Sequence, residues 1–248
     1  MIEPALFAAA GQVGEDFFKP RDSSSLPCQS DPAVLFCWDW ARDNIDRYWT
    51  PLQQQLELVL ISVAIGFVIA FALALLAHRR RWLRPAFLFG TGVLYTVPSI
   101  AFFFLLLPVT GRGRDTAIIA LSVYTLQIIY RNTVLGLDNV PSAAKDAARG
   151  IGMTNRQMLW KVEIPLARPE IFAGMTIATV STVALATLAT FARGGGLGEP
   201  IFGGELGISF KTNIIIAGGM AVLMAIAFGL ALLWLQRFVT PWRRVEKQ

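Results

Sequence analysis

The chain has 248 residues, of which 54% are hydrophobic and only 16% are charged, and its mean hydropathy is +0.53. A soluble domain usually carries about 25% charged residues, so the composition indicates a protein whose solvent is a bilayer. The net charge of +5 would suit nucleic-acid binding, but the basic residues stand at the ends of apolar segments, as they do in membrane proteins. We therefore expect a multi-pass membrane protein without a nucleic-acid partner.

Residues 1–50 precede the first long apolar segment and form a net-acidic tail. Residues 33–40 are too short and too polar a stretch to span a bilayer, and their tryptophans, with Trp49, suit a helix at the membrane interface. Cys28 and Cys37 could form a disulfide that closes a small loop, and two free thiols are an open alternative. Two cysteines and one histidine are too few for a zinc site, which needs about four ligands, so we predict no metal site.

Five apolar stretches are long enough to cross a hydrocarbon core of roughly 30 Å, which takes about 20 helical residues. They cover approximately residues 56–77, 86–107, 116–135, 170–192 and 213–235. Pro98 lies inside the second stretch and removes a helical hydrogen bond, so it should kink or break that span. Gly66, Gly174 and Gly229 interrupt apolar helices and should let neighbouring backbones approach closely.

Lysine and arginine are concentrated in the links after the first and third spans and in the C-terminal tail. The positive-inside rule assigns that side to the cytoplasm. The N-terminus is then outside and the C-terminus is cytoplasmic, as an odd number of spans requires. We expect an extracytoplasmic tail (1–50), a transmembrane domain (51–240) containing one long cytoplasmic loop (138–169), and a cytoplasmic tail (241–248). His78 stands among arginines and is interpreted as part of a basic membrane flank.

The long cytoplasmic loop has the pattern of two short helices. One face of the first helix is a ridge of small or apolar residues, namely Ala143, Ala144, Ala147, Ala148 and Ile151. Another protein can approach such a ridge closely. Gly152 is placed to end this helix in the left-handed conformation. Thr154 and Gln157 have the spacing of a capping box that starts a second helix, and Pro165 should end it, because proline disfavours helical backbone at the preceding residue.

The spacing in this loop resembles the EAA loop of binding-protein-dependent ABC importer permeases. The residues that carry the resemblance are Asp146, Ala147, Ala148, Gly152, Val162, Ile164 and Pro165. The family pattern has Glu, Ile and Leu where this chain has Asp146, Val162 and Ile164, and all three changes preserve charge or apolar character. The similarity covers roughly residues 52–237. Within it, YTVPSIAFFFLL, RNT, ARGIGMT and GGGLGEPI resemble the branch that imports glycine betaine, choline, carnitine and related quaternary amines.

The resemblance implies an all-α permease of the type I ABC importer kind, with five transmembrane helices in a bacterial inner membrane and no enzymatic activity. Its EAA loop would sit in a groove of a pair of ATPase subunits, which bind ATP and Mg²⁺, so this chain needs no cofactor. A second permease, either a copy or a paralogue, and an extracytoplasmic solute-binding protein would complete the assembly. The chain lacks the P-loop pattern G-x-x-x-x-G-K-S/T. The glycines of residues 194–198 are interpreted as a flexible outer gate or turn.

Charged residues are almost absent from the centres of the spans, so the candidate translocation path is drawn from polar side chains and the helix break. These residues are Thr96, Pro98, Ser99, Tyr124, Gln127 and Asn132. Nearby aromatic residues, among them Tyr95 and Phe102, could contact a quaternary ammonium ion through cation–π interactions, although aromatics in membrane helices more often pack in the core or face lipid.

Other functions remain in view. The same architecture could import ergothioneine, methionine or another amino acid, and the loop pattern does not separate these solutes. An intramembrane enzyme is disfavoured, because the spans hold no histidine pair, aspartate pair or Ser–His arrangement. A membrane scaffold without transport activity would give no reason for the acid–glycine–proline spacing of the loop.

Overall fold

The computed structural model describes residues 35–203 and 210–240. In chain order its helices are α1 (Trp38–Asp43), α2 (Trp49–Arg79), α3 (Arg84–Thr96), α4 (Ser99–Thr110), α5 (Arg114–Asp138), α6 (Ser142–Gly150), α7 (Asn155–Ala192) and α8 (Lys211–Val239). Short 3₁₀ turns at Ile45–Tyr48 and Arg81–Leu83 lead into α2 and α3. Cys28 lies outside the described residues, so its disulfide with Cys37 stays a prediction.

Four helices, α2, α5, α7 and α8, are long and apolar enough to cross a membrane, and α3 and α4 together form a fifth, broken span. The two halves of the broken span meet at an angle of 99°. Val97 and Pro98 are extended between them, with ψ angles of 129° and 130°. All five predicted apolar stretches are therefore helical, and the predicted break at Pro98 is confirmed.

The helix α5 lies at the centre of the bundle, where it packs against α2 on one side and α7 on the other. The largest core cluster joins these helices through fully buried side chains such as Leu58, Leu121 and Val183. The helix α8 packs on α7 and leaves most of its apolar surface exposed. An exposed apolar surface of this length suits contact with lipid or with another membrane subunit.

Glycine allows the helices to approach closely at two predicted positions. A Cβ atom on Gly66 of α2 would lie 1.6 Å from the Thr125 hydroxyl of α5. A Cβ on Gly174 of α7 would lie 2.4 Å from the Cβ of Asn132. The predictions for Gly66 and Gly174 are confirmed, whereas a Cβ on Gly229 would make only an ordinary contact, 3.7 Å from Val180.

The expectation that Pro165 ends a short helix is wrong. The helical backbone continues through Ile164, whose φ and ψ are −60° and −47°, into the long segment Ile164–Ala186. A π-helical turn at Leu159–Glu163 comes just before it. Pro165 follows this π-helical turn, in the first turn of the segment Ile164–Ala186. The second helix of the loop is therefore the beginning of the fourth span.

The bundle has two distinct ends. At one end, α6 and the start of α7 pack near the end of α2, and we call this the EAA end. At the other end, the glycine loop, residues 193–198, packs against the start of α2 and α5. The positive-inside rule assigns the EAA end to the cytoplasm, and that orientation remains a prediction.

The glycine loop is a closely packed turn. Its Gly196 and Leu197 N–H groups donate to the side-chain oxygens of Gln54 and Gln55, at 3.0 and 3.1 Å. Gln55 is fully buried and also donates to the Val183 carbonyl at 2.8 Å. A Cβ on Gly198 would lie 1.7 Å from the Thr187 carbonyl oxygen. The turn predicted from its glycines is present, and it is held between α2 and α7.

The described part of the N-terminal tail packs beside the glycine-loop end. The Cys37 N–H donates to the Thr212 hydroxyl at 3.0 Å, and Trp40 packs edge-to-face on Phe210 with ring centroids 4.6 Å apart. Trp38 and Trp49 are exposed, as the predicted interfacial position requires. The placement of this segment at the membrane interface stays a prediction.

We predict that Gly66→Ala lowers the thermal stability of the chain in detergent. Overpacking a close helix contact costs about 1–3 kcal/mol, because the Thr125 side chain and the α5 backbone must move apart. The measurement is the midpoint of thermal unfolding, followed by the loss of the monodisperse peak in size-exclusion chromatography. Gly90→Ala is the matched control, since a Cβ there meets nothing within 4 Å. Equal midpoints for the two variants would contradict the close packing of α2 on α5.

Candidate functional site

The EAA loop, residues 146–165, begins within α6 and turns at Gly152. Gly152 has φ +80°, and its N–H donates to the Arg149 carbonyl at 2.9 Å. The following N–H, of Met153, donates to the Ala148 carbonyl at 3.1 Å. These bonds satisfy carbonyls that the end of α6 would otherwise leave unpaired. The predicted left-handed residue at Gly152 is confirmed.

The start of α7 is fixed by a capping box. The Gln157 N–H donates to the Thr154 hydroxyl oxygen at 3.3 Å, and the Thr154 N–H donates to the Gln157 side-chain oxygen at 2.9 Å. Two N–H groups at the start of the helix are thereby satisfied. The predicted capping box is confirmed, and the turn between α6 and α7 is held at both of its ends.

The apolar ridge of α6 divides into two faces, which corrects the single face that the spacing predicted. Ala148 is buried and Ala144 is half-buried, so these two hold the helix against the bundle. Ala143, Ala147 and Ile151 are exposed. Residues four apart lie on one side of a helix, so the exposed three form a ridge along its outer side. We call Ala143, Ala147 and Ile151 the outer ridge.

The remaining EAA-loop residues have distinct positions. Asp146 is exposed and forms an ion pair with Arg149 at 3.2 Å, in which both side chains are more than half exposed. Such a pair contributes less than about 1 kcal/mol, so the carboxylate stays available to another protein. Val162 and Pro165 are half-buried on α7. Ile164 packs against a core cluster formed by Leu137, Val140, Leu159, Ala167 and Ile171.

A contact between a histidine and a buried carboxylate, which the sequence did not reveal, joins α2 to the loop. His78 Nε2 lies 2.6 Å from a carboxylate oxygen of Glu163, whose side chain is only 4% exposed. Glu163 stands between the motif residues Val162 and Ile164. The sequence places His78 in a basic flank, and the structure adds its contact with the buried Glu163 carboxylate. The only sequence signal was an acid inside an apolar motif, and the fold alone brings a basic partner to it.

A second contact holds the same end together. The Arg84 guanidinium donates two hydrogen bonds to the Asp138 carboxylate, both 2.8 Å long. A bidentate pair of this kind fixes orientation as well as distance. It joins the start of α3 to the end of α5, just before α6 begins. The start of α3 is therefore joined to α5 at the EAA end of the bundle.

The break between α3 and α4 is stabilised from α5. The Tyr124 hydroxyl donates at 2.5 Å to the Val97 carbonyl, which belongs to the peptide group that joins Val97 to Pro98 at the break. Tyr95 and Phe102 lie edge-on to the Tyr124 ring, with centroids 6.0 and 5.7 Å away. The structure thus brings Tyr124 together with the break, and surrounds it with aromatic side chains.

The other predicted path residues fall into two groups. Thr96 and Ser99 flank the break itself, and the Thr96 hydroxyl donates to the Val93 carbonyl at 2.7 Å. Gln127 lies further along α5 and accepts a hydrogen bond from Thr91, a contact that the sequence did not predict. Asn132 is separate, because it packs on Gly174 and donates to the Ile128 carbonyl at 2.8 Å. Four of the six predicted residues, Thr96, Pro98, Ser99 and Tyr124, therefore lie at the break. The role of all six in translocation stays a prediction.

Three features together define a membrane permease subunit. They are a helical bundle with a broken span, an exposed loop of the EAA pattern, and one long helix that continues from this loop. Residues 62–245 match the family described as binding-protein-dependent transport system inner membrane component. The chain belongs to this family. It is a multi-pass protein of the cytoplasmic membrane, and family members act with an ATPase and a solute-binding protein.

Curated relatives of the chain are permeases. The osmoprotectant import permease protein OsmW of Salmonella typhimurium is 37% identical over 76% of this chain and 89% of its own length. The glycine betaine/carnitine/choline transport system permease protein OpuCB of Bacillus subtilis is 35% identical over 76% of this chain and 86% of its own. The carnitine transport permease protein OpuCB of Listeria monocytogenes is 36% identical over 85% of this chain and 94% of its own.

Solved structures share the fold. A chain of the inward-facing MetNI methionine ABC transporter superposes with a TM-score of 0.70 at 21% identity, covering 82% of this chain and all of that chain. A chain of an amino acid ABC transporter crystallised with histidines gives a TM-score of 0.68 at 17% identity, covering 81% of this chain and 98% of that chain. The predicted all-α permease fold of the type I importers is confirmed.

We predict that His78→Ala destabilises the chain by leaving the Glu163 carboxylate buried without its partner. His78 keeps 20% of its side chain exposed, so we expect about half of the roughly 3–5 kcal/mol that this loss costs in a fully buried pair. The double variant His78→Ala/Glu163→Gln should recover much of the loss, because no buried charge remains. The measurement is the midpoint of thermal unfolding.

Arg149→Ala is the matched control for this pair. It breaks the exposed ion pair with Asp146, so the free energy of unfolding should change by less than about 1 kcal/mol, with a correspondingly small shift of the midpoint. If His78→Ala and Arg149→Ala had the same small effect, the contact between His78 and Glu163 would not hold the loop.

Proposed function

We propose that this chain is the permease subunit of an ATP-driven importer of osmoprotectants of the glycine betaine, carnitine and choline type. The observation that carries the proposal is the identity of 35–37% to three permeases named for these solutes, over three quarters or more of this chain. The MetNI and amino acid transporter structures are less than 25% identical, so they support the fold without favouring methionine or another amino acid.

A separate pair of ATPase subunits drives transport in this proposal, and those subunits bind the ATP and Mg²⁺. The outer ridge (Ala143, Ala147 and Ile151) is the surface that a groove of the ATPase receives, since small side chains allow close approach of another backbone. Asp146 stands beside the ridge with an exposed carboxylate and would add a polar contact at its edge. The orientation follows the charge pattern, which places this loop in the cytoplasm.

Movement of the ATPase would reach the membrane through α7. The turn between α6 and α7 is fixed by Gly152 and by the capping box at Thr154. A displacement of α6 would therefore move α7 with it, because the turn does not bend as a hinge. The pair formed by His78 and Glu163 then passes it to α2. A packed interior transmits strain because it has few voids into which side chains can relax.

The solute path would run past the break at Pro98. A broken helix at membrane depth is tolerated where it is buried in protein or lines a cavity, which makes it a suitable place for a path. Tyr95, Phe102 and Tyr124 offer aromatic faces and edges to a quaternary ammonium ion. Tight recognition belongs to the solute-binding protein outside, and the path through the permease binds more weakly.

The permease would act as a pair, formed by two copies of this chain or by this chain and a paralogue. The exposed apolar surface of α8, together with Gly218 and Gly219, which meet nothing within 4 Å, offers room for such a neighbour. Small residues permit close packing between membrane helices.

The test of the proposal is uptake of labelled glycine betaine, carnitine and choline by the source bacterium at high osmolarity. Deletion of the gene for this chain should abolish uptake of at least one of the three, and the wild-type gene should restore it. Loss of methionine or ergothioneine uptake, with all three osmoprotectants unaffected, would contradict the proposed solute class.

We predict that Gly152→Val uncouples ATP hydrolysis from uptake while the chain still inserts into the membrane. A β-branched residue at φ +80° costs about 1–3 kcal/mol, so the end of α6 must shift. Uptake should fall at least about fivefold, the population change that about 1 kcal/mol produces. Uptake is measured in the complemented strain, and ATP hydrolysis in the purified complex.

Two control variants make this test specific. Gly152→Asn should retain more uptake than Gly152→Val, because asparagine tolerates the left-handed conformation. Gly150→Ala should behave as the wild type, since Gly150 has no positive φ and a Cβ there meets nothing within 4 Å. Full uptake by Gly152→Val at normal expression would contradict the coupling role.

A further inference from the structure

A cavity of about 250 Å³ opens at the glycine-loop end of the bundle, at the opposite end from the EAA loop. Its polar lining comes from the start of α2, the start of α5 and the glycine loop with the residue after it: Gln54, Glu57, Arg114, Arg193 and Glu199. Pockets for drug-sized ligands are about 300–1,000 Å³, and a water molecule occupies about 30 Å³. The cavity therefore has room for a solute smaller than a drug and larger than a few waters.

The wall of the cavity is fixed in place. The Gln54 side-chain oxygen accepts the Gly196 N–H at 3.0 Å, and a Cβ on Gly195 would lie 2.5 Å from the same oxygen. A Cβ on Gly194 would lie 2.7 Å from the Cβ of Ala117 on α5. The absence of side chains at these glycines keeps the wall thin and close to α2 and α5. A wall held on both sides fixes the backbone that carries Arg193, whose side chain is exposed.

Of the four charged side chains that line the cavity, two pair with each other and two do not. Arg114 and Glu57 form an ion pair at 2.8 Å, so they neutralise each other. Arg193 and Glu199 line the same cavity, and neither forms an ion pair with any residue in the ranges 35–203 and 210–240. The cavity thus presents one guanidinium and one carboxylate that are available to a ligand.

Arg193 holds a backbone conformation that favours glycine. Its φ is 57° and its ψ is 35°, and in the described part of the chain it is the only non-glycine residue with positive φ. Three glycines follow it directly, so glycine is the residue that this turn otherwise uses. Non-glycine residues in such backbone conformations cluster at functional sites and persist where the surrounding structure holds them. The conformation therefore marks Arg193 as a candidate functional residue.

We infer that this cavity binds a small zwitterion, with the ligand carboxylate on Arg193 and its cationic group near Glu199. A guanidinium donates two parallel hydrogen bonds to a carboxylate, which sets the position of that end of the ligand. The Glu199 carboxylate attracts the cationic end of the ligand by charge. The choice of betaine-type probes rests on the proposed function, whereas the requirement for both charges comes from the cavity itself.

The test uses the purified full chain in lipid nanodiscs without any solute-binding protein, and ligand-observed NMR to measure weak binding. Three probes have nearly the same shape: glycine betaine carries both charges, choline carries only the cation, and 3,3-dimethylbutyrate carries only the carboxylate. Glycine betaine should bind about tenfold more tightly than either of the others, the ratio expected for one charge-assisted hydrogen bond. Equal binding of the three probes, or no binding of glycine betaine, would overturn the inference.

Variants at Arg193 separate a ligand contact from a structural role. Arg193→Gly and Arg193→Asn suit the left-handed backbone, so the fold should be kept or stabilised while glycine betaine binding falls about tenfold. Arg193→Lys keeps the charge but loses the two parallel hydrogen bonds, so it should retain only part of the binding. Arg112→Asn is the control, because Arg112 is exposed at the same end and does not line the cavity. A structural role alone would leave binding unchanged in Arg193→Gly, and that result would overturn the inference.

Glu199→Gln tests the cationic end of the ligand. It should reduce the preference for glycine betaine over 3,3-dimethylbutyrate to about one, because the two probes differ only in the charge that Glu199 faces. If the preference for glycine betaine over 3,3-dimethylbutyrate is unchanged, the Glu199 carboxylate does not interact with the cationic group of the ligand. Absence of glycine betaine binding to the wild-type chain, together with normal osmoprotectant uptake by the wild-type strain, would overturn this inference and leave the proposed transport function intact. Normal osmoprotectant uptake in the deletion strain would instead count against the transport function itself.

Discussion

The helix α7 runs unbroken from the EAA loop to the glycine loop, and the two ends of the bundle depend on this continuity. Its 38 residues correspond to about 57 Å at 1.5 Å per residue, which is longer than the hydrocarbon core of a bilayer. At one end it carries Glu163, paired with His78 of α2. At the other end its Val183 carbonyl accepts a hydrogen bond from Gln55 of α2. Because α2 and α7 are joined at both ends, a displacement of the EAA loop acts on the pair of helices together.

A bilayer also determines how the break in the second span is built. Backbone groups cannot find water in hydrocarbon, so the carbonyl before Pro98 needs a partner within the protein. The hydroxyl of Tyr124 supplies it, and two further aromatic rings pack around that tyrosine. A residue first considered for contact with the solute thus also satisfies the backbone at the break. The two roles are compatible, since its ring remains beside the break while its hydroxyl is bound.

Local rules predicted much of the loop and the spans. Residue types at neighbouring positions are enough to predict three features, because each depends on short-range stereochemistry. These are the capping box at Thr154, the left-handed residue at Gly152 and the break at Pro98. The continuation of helix through Pro165 could not be predicted in this way, because it depends on a π-helical turn that the packing of Leu159 and Glu163 against neighbouring helices supports. The pair between His78 and Glu163 was missed for the same reason, since 85 positions separate them and only the fold brings them together.

The division of α6 into two faces gives the proposed coupling a definite geometry, because Ala144 and Ala148 are turned inward and only the outer ridge is free to meet another protein. The most direct measurement places a photo-crosslinking residue at Ala147 in the assembled transporter and identifies what it captures. The account predicts a covalent product with the ATPase subunit whose yield changes when ATP is added, and no such product from the same residue placed at Leu105, an exposed position on α4. Absence of the ATPase from the Ala147 product, or equal capture from Leu105, would contradict it.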